Sequence, residues 1–209
     1  MATSSRKEAK TGGAQSAKKR AAARSAVRTA PRQPVRSPAG AAIRSPSREQ
    51  AESFVYREVR LLDERKLDEW ASLFTDDGIY WLPLGEGRDY RNEHAILCDN
   101  ARQRAMRIHQ LTRYTHLAQD PPSRLIHFVS NVEVDAGAAK DEILIRCNAL
   151  IQELRPGDFQ ELQVGLGAQR ALAARCEYRV RTAGTWRISE KKVLLLNRDH
   201  PVSNLTCII

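Results

Sequence analysis

The sequence predicts an α+β fold, with helices packed on one face of a curved, mostly antiparallel sheet. Three observations carry that prediction. Apolar residues recur at helical spacing between residues 54 and 74. From residue 125 onward the pattern switches to period two. Helices therefore precede a run of strands, which is the order of an α+β domain and not of alternating βαβ units.

The elements follow in chain order. Residues 1–47 are built mainly from Ala, Ser, Arg, Lys, Pro and Gly, with no aromatic residue. Such a segment buries too little apolar surface to offset its ordering entropy, so it is expected to be a disordered basic tail ahead of a folded domain at 48–209. Residues 1–48 carry 12 Lys/Arg against one acid, Glu8, whereas the rest of the chain carries 22 against 24. The formal net charge of +9 thus belongs to the tail, and the folded part is near neutral. A basic arm can touch nucleic acid through Lys18, Lys19, Arg20, Arg24 and Arg28. This one has no aromatic for base stacking, so nucleic-acid binding is not expected. Its Arg-rich, Ser-rich composition also resembles a transit peptide, and it lacks the apolar core of a secretory signal.

Phe54, Val55, Val59 and Leu62, then Leu67, Trp70, Leu73 and Phe74, predict a helix to about residue 65, a turn, and a short second helix to about Phe74. Thr75-Asp76-Asp77-Gly78 is expected to stop that helix, with Gly78 at positive φ. Ile79 to Leu84 reads as a strand. Residues 93–112 are expected to form one helix, with Ile96, Leu97, Ala101, Ala105, Ile108 and Leu111 on one face. Pro121-Pro122 places a loop at 118–123. In the following strand Ile126, Phe128, Ser130, Val132 and Val134 fall on one side, opposite Leu125, His127, Val129 and Asn131. Ile143, Ile145, Cys147, Ala149 and Ile151 alternate with Leu144, Arg146, Asn148 and Leu150. Further strands are expected at 159–166 and 175–181, and an Ala183-Gly184 turn leads into the last, Trp186–Asn197.

Several function classes lose support. No G-x-G-x-x-G, phosphate loop or G-x-S-x-G elbow occurs. No run approaches the roughly 18 apolar residues of a membrane helix. Cys98, Cys147, Cys176 and Cys207 form no C-x-x-C pair and suit a reducing cytoplasm. His94, His109, His116, His127 and His200 show no metal spacing, so no metal site is expected in this chain. A pocket set inside the cone of the sheet would comprise Tyr80, Trp81, His127, Asn131 and Asn148, with Asp63 and Asp76 at helix ends. A stand-alone isomerase or dehydratase would use Asp63, Tyr80 and His127 as its acid–base groups. The structural alternative pairs Asp63 with Arg65 or Lys66 at the surface and gives Tyr80, Trp81 and His127 to packing or an interface.

Three segments go further. They are Phe54-Val55-Tyr56-Arg57-Glu58 through Asp63, Trp70 and Phe74 to Tyr80-Trp81-Leu82-Pro83; Asp120-Pro121-Pro122-Ser123-Arg124 with His127-Phe128-Val129-Ser130-Asn131-Val132; and Trp186-Arg187-Ile188 through Lys191-Lys192-Val193-Leu194-Leu195-Leu196-Asn197. Together, over roughly residues 48–209, they resemble the small (beta) subunit of the aromatic-ring-hydroxylating dioxygenases, the Rieske non-haem iron oxygenases. The tail, and the run Asn197-Arg198-Asp199-His200-Pro201 after the last strand, depart from the family pattern. The resemblance implies a cystatin-like (nuclear-transport-factor-like) cone. It also implies a structural subunit without a catalytic site or cofactor of its own. The Rieske [2Fe–2S] cluster and the mononuclear iron would belong to a large (alpha) subunit, three of each chain forming the complex. NADH would supply electrons through a reductase and often a ferredoxin. The four cysteines agree, since none has a histidine two residues after it, as a Rieske centre requires. Tyr80, Trp81, Arg124, His127 and Asn131 are the expected interface residues.

Overall fold

The computed structural model describes residues 47–114, 119–156, 169–202 and 205–209. Except for Ser47, the expected basic tail lies outside the described residues, as does the expected strand at 159–166. Helix α1 (Arg48–Asp63) starts where the composition changes. The Ser47 hydroxyl accepts from Gln50 N at 3.2 Å, and the Gln50 side chain accepts from Ser47 N at 3.0 Å. This reciprocal cap satisfies two of the amides a helix start leaves open. The inner face of α1 buries Phe54, Val55, Glu58, Val59, Leu61 and Leu62. Arg65, at φ 54, turns the chain into α2 (Leu67–Ala71), which buries Leu67 and Trp70.

The second helix ends earlier than expected, because strand β1 (Phe74–Pro83) already includes Thr75 to Gly78. Gly78 is not at positive φ. A Cβ there would lie 2.8 Å from the carbonyl oxygen of Ile188 and 2.9 Å from that of Thr75, so close backbone approach explains the glycine. The positive-φ glycine is Gly184, at φ 79, in the expected turn.

The single helix expected over 93–112 is two elements. Strand β2 (Ala95–Asp99) pairs with β1, Leu97 opposite Leu82, and helix α3 (Ala101–Arg113) follows. Asn100 and Gln103 cap each other at 3.0 Å in both directions, and the Asn-x-x-Gln spacing is the sequence sign of that start. The inward face of α3 is not the expected apolar set. Ala105 is exposed, whereas Arg104 and Ile108 are buried. Arg104 donates to Gly78 O at 2.8 Å, and its guanidinium stacks 4.1 Å from the centre of the Phe74 ring.

Strands β3 (Arg124–Ala136), β4 (Glu142–Leu154), β5 (Gln169–Arg181) and β6 (Arg187–Leu195) complete a sheet in the order β2-β1-β6-β5-β4-β3. β1 and β6 run parallel and every other pair is antiparallel. Irregularities in β1, β3 and the β5–β6 pair bend the sheet around the helices, since bulges increase local twist and curvature. The result is the expected α+β cone, with α1 packed along β3. β4 and β5 pair without a break from Glu142 opposite Arg181 to Leu154 opposite Gln169. Ile143, Ile145, Cys147, Ala149 and Ile151 all point inward, as the alternation predicts.

β3 does not keep one phase. Leu125 is buried while Ile126 and Phe128 are 57% and 56% exposed. A bulge between Ser130 and Glu133, with Asn131 at φ 55, then shifts the alternation, so that Val132 turns inward. The five residues expected on one side are thus divided between two faces. Gly78→Ala should lower stability by about 1–3 kcal/mol through the clash with the Ile188 carbonyl, read as a drop in urea midpoint with an unchanged m value.

Candidate functional site

The cone interior is occupied by side chains around a buried ion pair. Glu58 on α1 and Lys191 on β6 are 0% and 1% exposed, and Lys191 Nζ lies 2.7 Å from Glu58 Oε1. Trp70 Nε1 donates to the same oxygen at 2.5 Å, and the Tyr178 hydroxyl donates to Oε2 at 3.2 Å. Lys191 also donates to the main-chain oxygen of Ile209 at 3.1 Å, which accepts from the Tyr80 hydroxyl at 2.8 Å. The ammonium lies 5.5–5.8 Å from the ring centres of Trp70, Tyr80 and Tyr178, within cation–π range. Burial pushes the Tyr80 hydroxyl far up, and burial together with Glu58 does the same for Tyr178, so both remain donors.

A second polar cluster gathers around Glu153, which is 0% exposed. Its carboxylate accepts from Ser123 Oγ at 2.7 Å, from Arg155 Nε at 3.1 Å and from Arg170 Nε. Gln119 donates to Ser123 Oγ and to Thr206 Oγ1, each at 2.8 Å. Burial alone would raise the Glu153 carboxyl, but the Ser123, Arg170 and Arg155 hydrogen bonds outweigh it and hold the group below its ordinary value of 4.5. Burial beside Glu153 raises the neighbouring Cys207 thiol to about 12.

The sequence-predicted residues separate into groups. Asp63 and His127 do meet, with Asp63 Oδ1 2.6 Å from His127 Nδ1 and Oδ2 accepting from the His127 backbone amide at 3.2 Å. Asp63 is therefore not paired with Arg65 or Lys66, and Lys66 instead pairs with Glu64 at 2.7 Å. His127 Nε2 is buried without a hydrogen-bond partner. Tyr80 does not join this couple, because its hydroxyl is engaged by Ile209. Tyr80 and Trp81 are 1% and 0% exposed, so they pack inside this chain and present nothing to a partner. Trp81 lies edge-on to Tyr90, with Lys192 Nζ 5.3 Å from its ring centre. Arg124 and Asn131 are exposed, as are Asp76 and Asn148. Among the described residues, no group of three His, Cys, Asp or Glu is placed to hold a metal ion.

Sequence reasoning passed over Glu58, Lys191 and Glu153. Their signal was present: Glu58 stands four residues from both Phe54 and Leu62, and Lys191 shares the inward phase of Val193 and Leu195. It also passed over an apolar stripe on the outside of the sheet. Phe128 pairs with Leu150, Leu150 with Ala173, and Leu196 N donates to Ala173 O at 2.8 Å. Phe128, Leu150 and Leu196 are 56%, 41% and 72% exposed. The stripe floors a groove of about 450 Å³ with Arg175 and Arg198 among its lining residues.

A family model described as ring hydroxylating beta subunit matches residues 57–200. The small oxygenase component of the p-cumate 2,3-dioxygenase system of Pseudomonas putida is 30% identical over 153 residues, 71% of this chain and 79% of that protein. The benzene 1,2-dioxygenase beta subunit of P. putida F1 is 30% identical over 102 residues, 44% of this chain and 54% of that protein. Among solved structures, a chain of naphthalene 1,2-dioxygenase with indole bound in the active site superposes with a TM-score of 0.65 at 17% identity, covering 78% of this chain and 85% of that one. The beta subunit of benzoate 1,2-dioxygenase from Burkholderia mallei gives 0.59 at 21% identity, covering 79% and 100%. These superpositions show the fold.

Lys191→Met should cost about 3–5 kcal/mol in chemical unfolding, because it leaves Glu58 buried without its counter-charge. The double variant E58Q/K191M should recover at least half of that loss, since the glutamine keeps an acceptor for Trp70. Glu153 gives a pH signature. Its folded value is depressed, so its contribution is complete above about pH 4.5 and is lost as pH falls through the folded value. Glu153→Gln should be about 3 kcal/mol less stable at pH 7, and thermal melts should show the difference narrowing below pH 4.5.

Proposed function

The chain belongs to the ring-hydroxylating beta-subunit family, and on that premise we propose that it is the structural subunit of an aromatic-ring-hydroxylating dioxygenase. It supports an iron-bearing large subunit and carries out no oxygen chemistry itself. The observation that carries the structural role is the apolar stripe Phe128–Leu150–Ala173–Leu196, left outside a sheet whose inner face is already filled. A near-continuous apolar row on a soluble domain marks a surface that a partner covers. The partner is the large subunit, and Arg175 and Arg198 form a polar rim around the apolar centre, the usual anatomy of a protein interface.

The remaining assignments belong to the same proposal. The Rieske cluster and the mononuclear iron sit in the large subunit, electrons come from NADH through a reductase and often a ferredoxin, and three large and three small chains assemble. The complex oxidises an aromatic compound in the cytoplasm, in keeping with four free cysteines. Arg124 and Asn131, both exposed, remain interface candidates. His127 contributes by holding Asp63 against β3, not by direct contact. An isomerase or dehydratase built on Asp63, Tyr80 and His127 has no support from the geometry, because the Tyr80 hydroxyl is engaged elsewhere.

Affinity capture of the tagged chain from its native cells should bring down an iron-containing larger chain; an iron-free homo-oligomer would overturn the reading. The double substitution F128E/L150K should lower the stability of the isolated subunit by no more than about 1 kcal/mol, because both sites are largely exposed and the opposite charges face each other across the β3–β4 ladder. It should cut recovery of the large subunit at least tenfold, the loss of an interface centre. Undiminished recovery would move the docking surface away from this stripe.

A further inference from the structure

Cys147 on β4 and Cys176 on β5 stand directly opposite each other in the unbroken β4–β5 ladder. Both point into the core, 3% and 4% exposed. Directly opposed residues of an antiparallel pair lie about 4.5–5.5 Å apart at Cα, whichever kind of pair they form. Disulfides span about 4.4–6.8 Å between Cα atoms, so the spacing of directly opposed strand residues admits a bridge. Each thiol is the other's strongest electrostatic neighbour: Cys176 is held below its ordinary range and Cys147 is pushed above it.

We infer that Cys147 and Cys176 are a reversible redox site, closed to a cross-strand disulfide by hydrogen peroxide and reopened by thiols. The interaction of the two thiols favours the thiolate of Cys176 over that of Cys147, which makes Cys176 the attacking sulfur. Cys176 attacks one peroxide oxygen; an S–O bond forms, the O–O bond breaks, and hydroxide leaves and is protonated to water. Cys147 then attacks the sulfenic sulfur of Cys176. The S–S bond forms, the S–O bond breaks, and the departing hydroxide takes the Cys147 proton as a second water. Two thiols are oxidised and one peroxide is reduced. Peroxide is little larger than water and reaches a buried pair through local opening of the sheet, which excludes bulkier oxidants. Cys98 and Cys207 are more accessible but pair with no cysteine across a strand, so they define the background.

The test treats the full chain with hydrogen peroxide, alkylates free thiols under denaturing conditions, and maps peptides by mass spectrometry. The expected product has lost about 2 Da, carries a linked 147–176 peptide pair and reverts with dithiothreitol. The variant C98A/C207A, which leaves the pair as its only cysteines, should give the same product. In C147A, Cys176 should instead be trapped as a sulfenic acid by dimedone. Recovery of both Cys147 and Cys176 as free thiols after treatment, or linkage through Cys98 or Cys207, would overturn the inference.

Discussion

Burying two opposite charges together is the constraint on which this fold turns. Removing Glu58 and Lys191 from water costs several kcal/mol per ion unless every remaining hydrogen-bonding position is filled. Here those positions are filled from all sides. Trp70 comes from α2, Tyr178 from β5 and the Ile209 oxygen from the C-terminal segment, which Tyr80 of β1 holds in turn. The pair is therefore satisfied only when α1, α2, three strands and that segment are docked together.

Glu153 plays the corresponding part for the irregular chain. Ser123 follows Pro121-Pro122 and enters the interior as a hydrogen-bond donor to Glu153. Arg155, Arg170, Gln119 and Thr206 extend the same cluster into the segments flanking β4, β5 and the C-terminus. The run Pro-Pro-Ser-Arg, which reads as a bare loop, is thus a loop pinned by its serine. The Glu58–Lys191 pair balances charge one for one, whereas Glu153 sets a single carboxylate against two guanidiniums.

The order of helices and strands was legible because amphipathic period is a local property, and α1 and β4 follow their patterns residue by residue. β2 was not legible. Five residues leading into a helix carry no period of their own, and Ile96 and Leu97 fit a helical face as well as a strand. The face reversal in β3 was hidden for another reason: a one-residue bulge at Asn131 leaves every residue type in place and alters only the phase. The site was legible in part. Asp63 and His127 stood out as chemistry-bearing residues, but their contact spans 64 positions. Glu58 and Lys191 were overlooked because charged residues in charged surroundings are ordinarily solvated. Their inward phase, not their type, gives them away.

The far side of β3 carries no further strand among the described residues. An open strand of 13 residues with Ile126 and Phe128 on its outer face is a template on which other chains can pair. Asp63 occupies one of the edge amides by accepting from His127 N, and the Asn131 bulge breaks the straight run of the others. Glu133 and Asp135 add charge beyond the bulge. The same residues that shape the domain therefore guard it in the interval between synthesis and assembly, when the subunit must remain dispersed long enough to meet its partner.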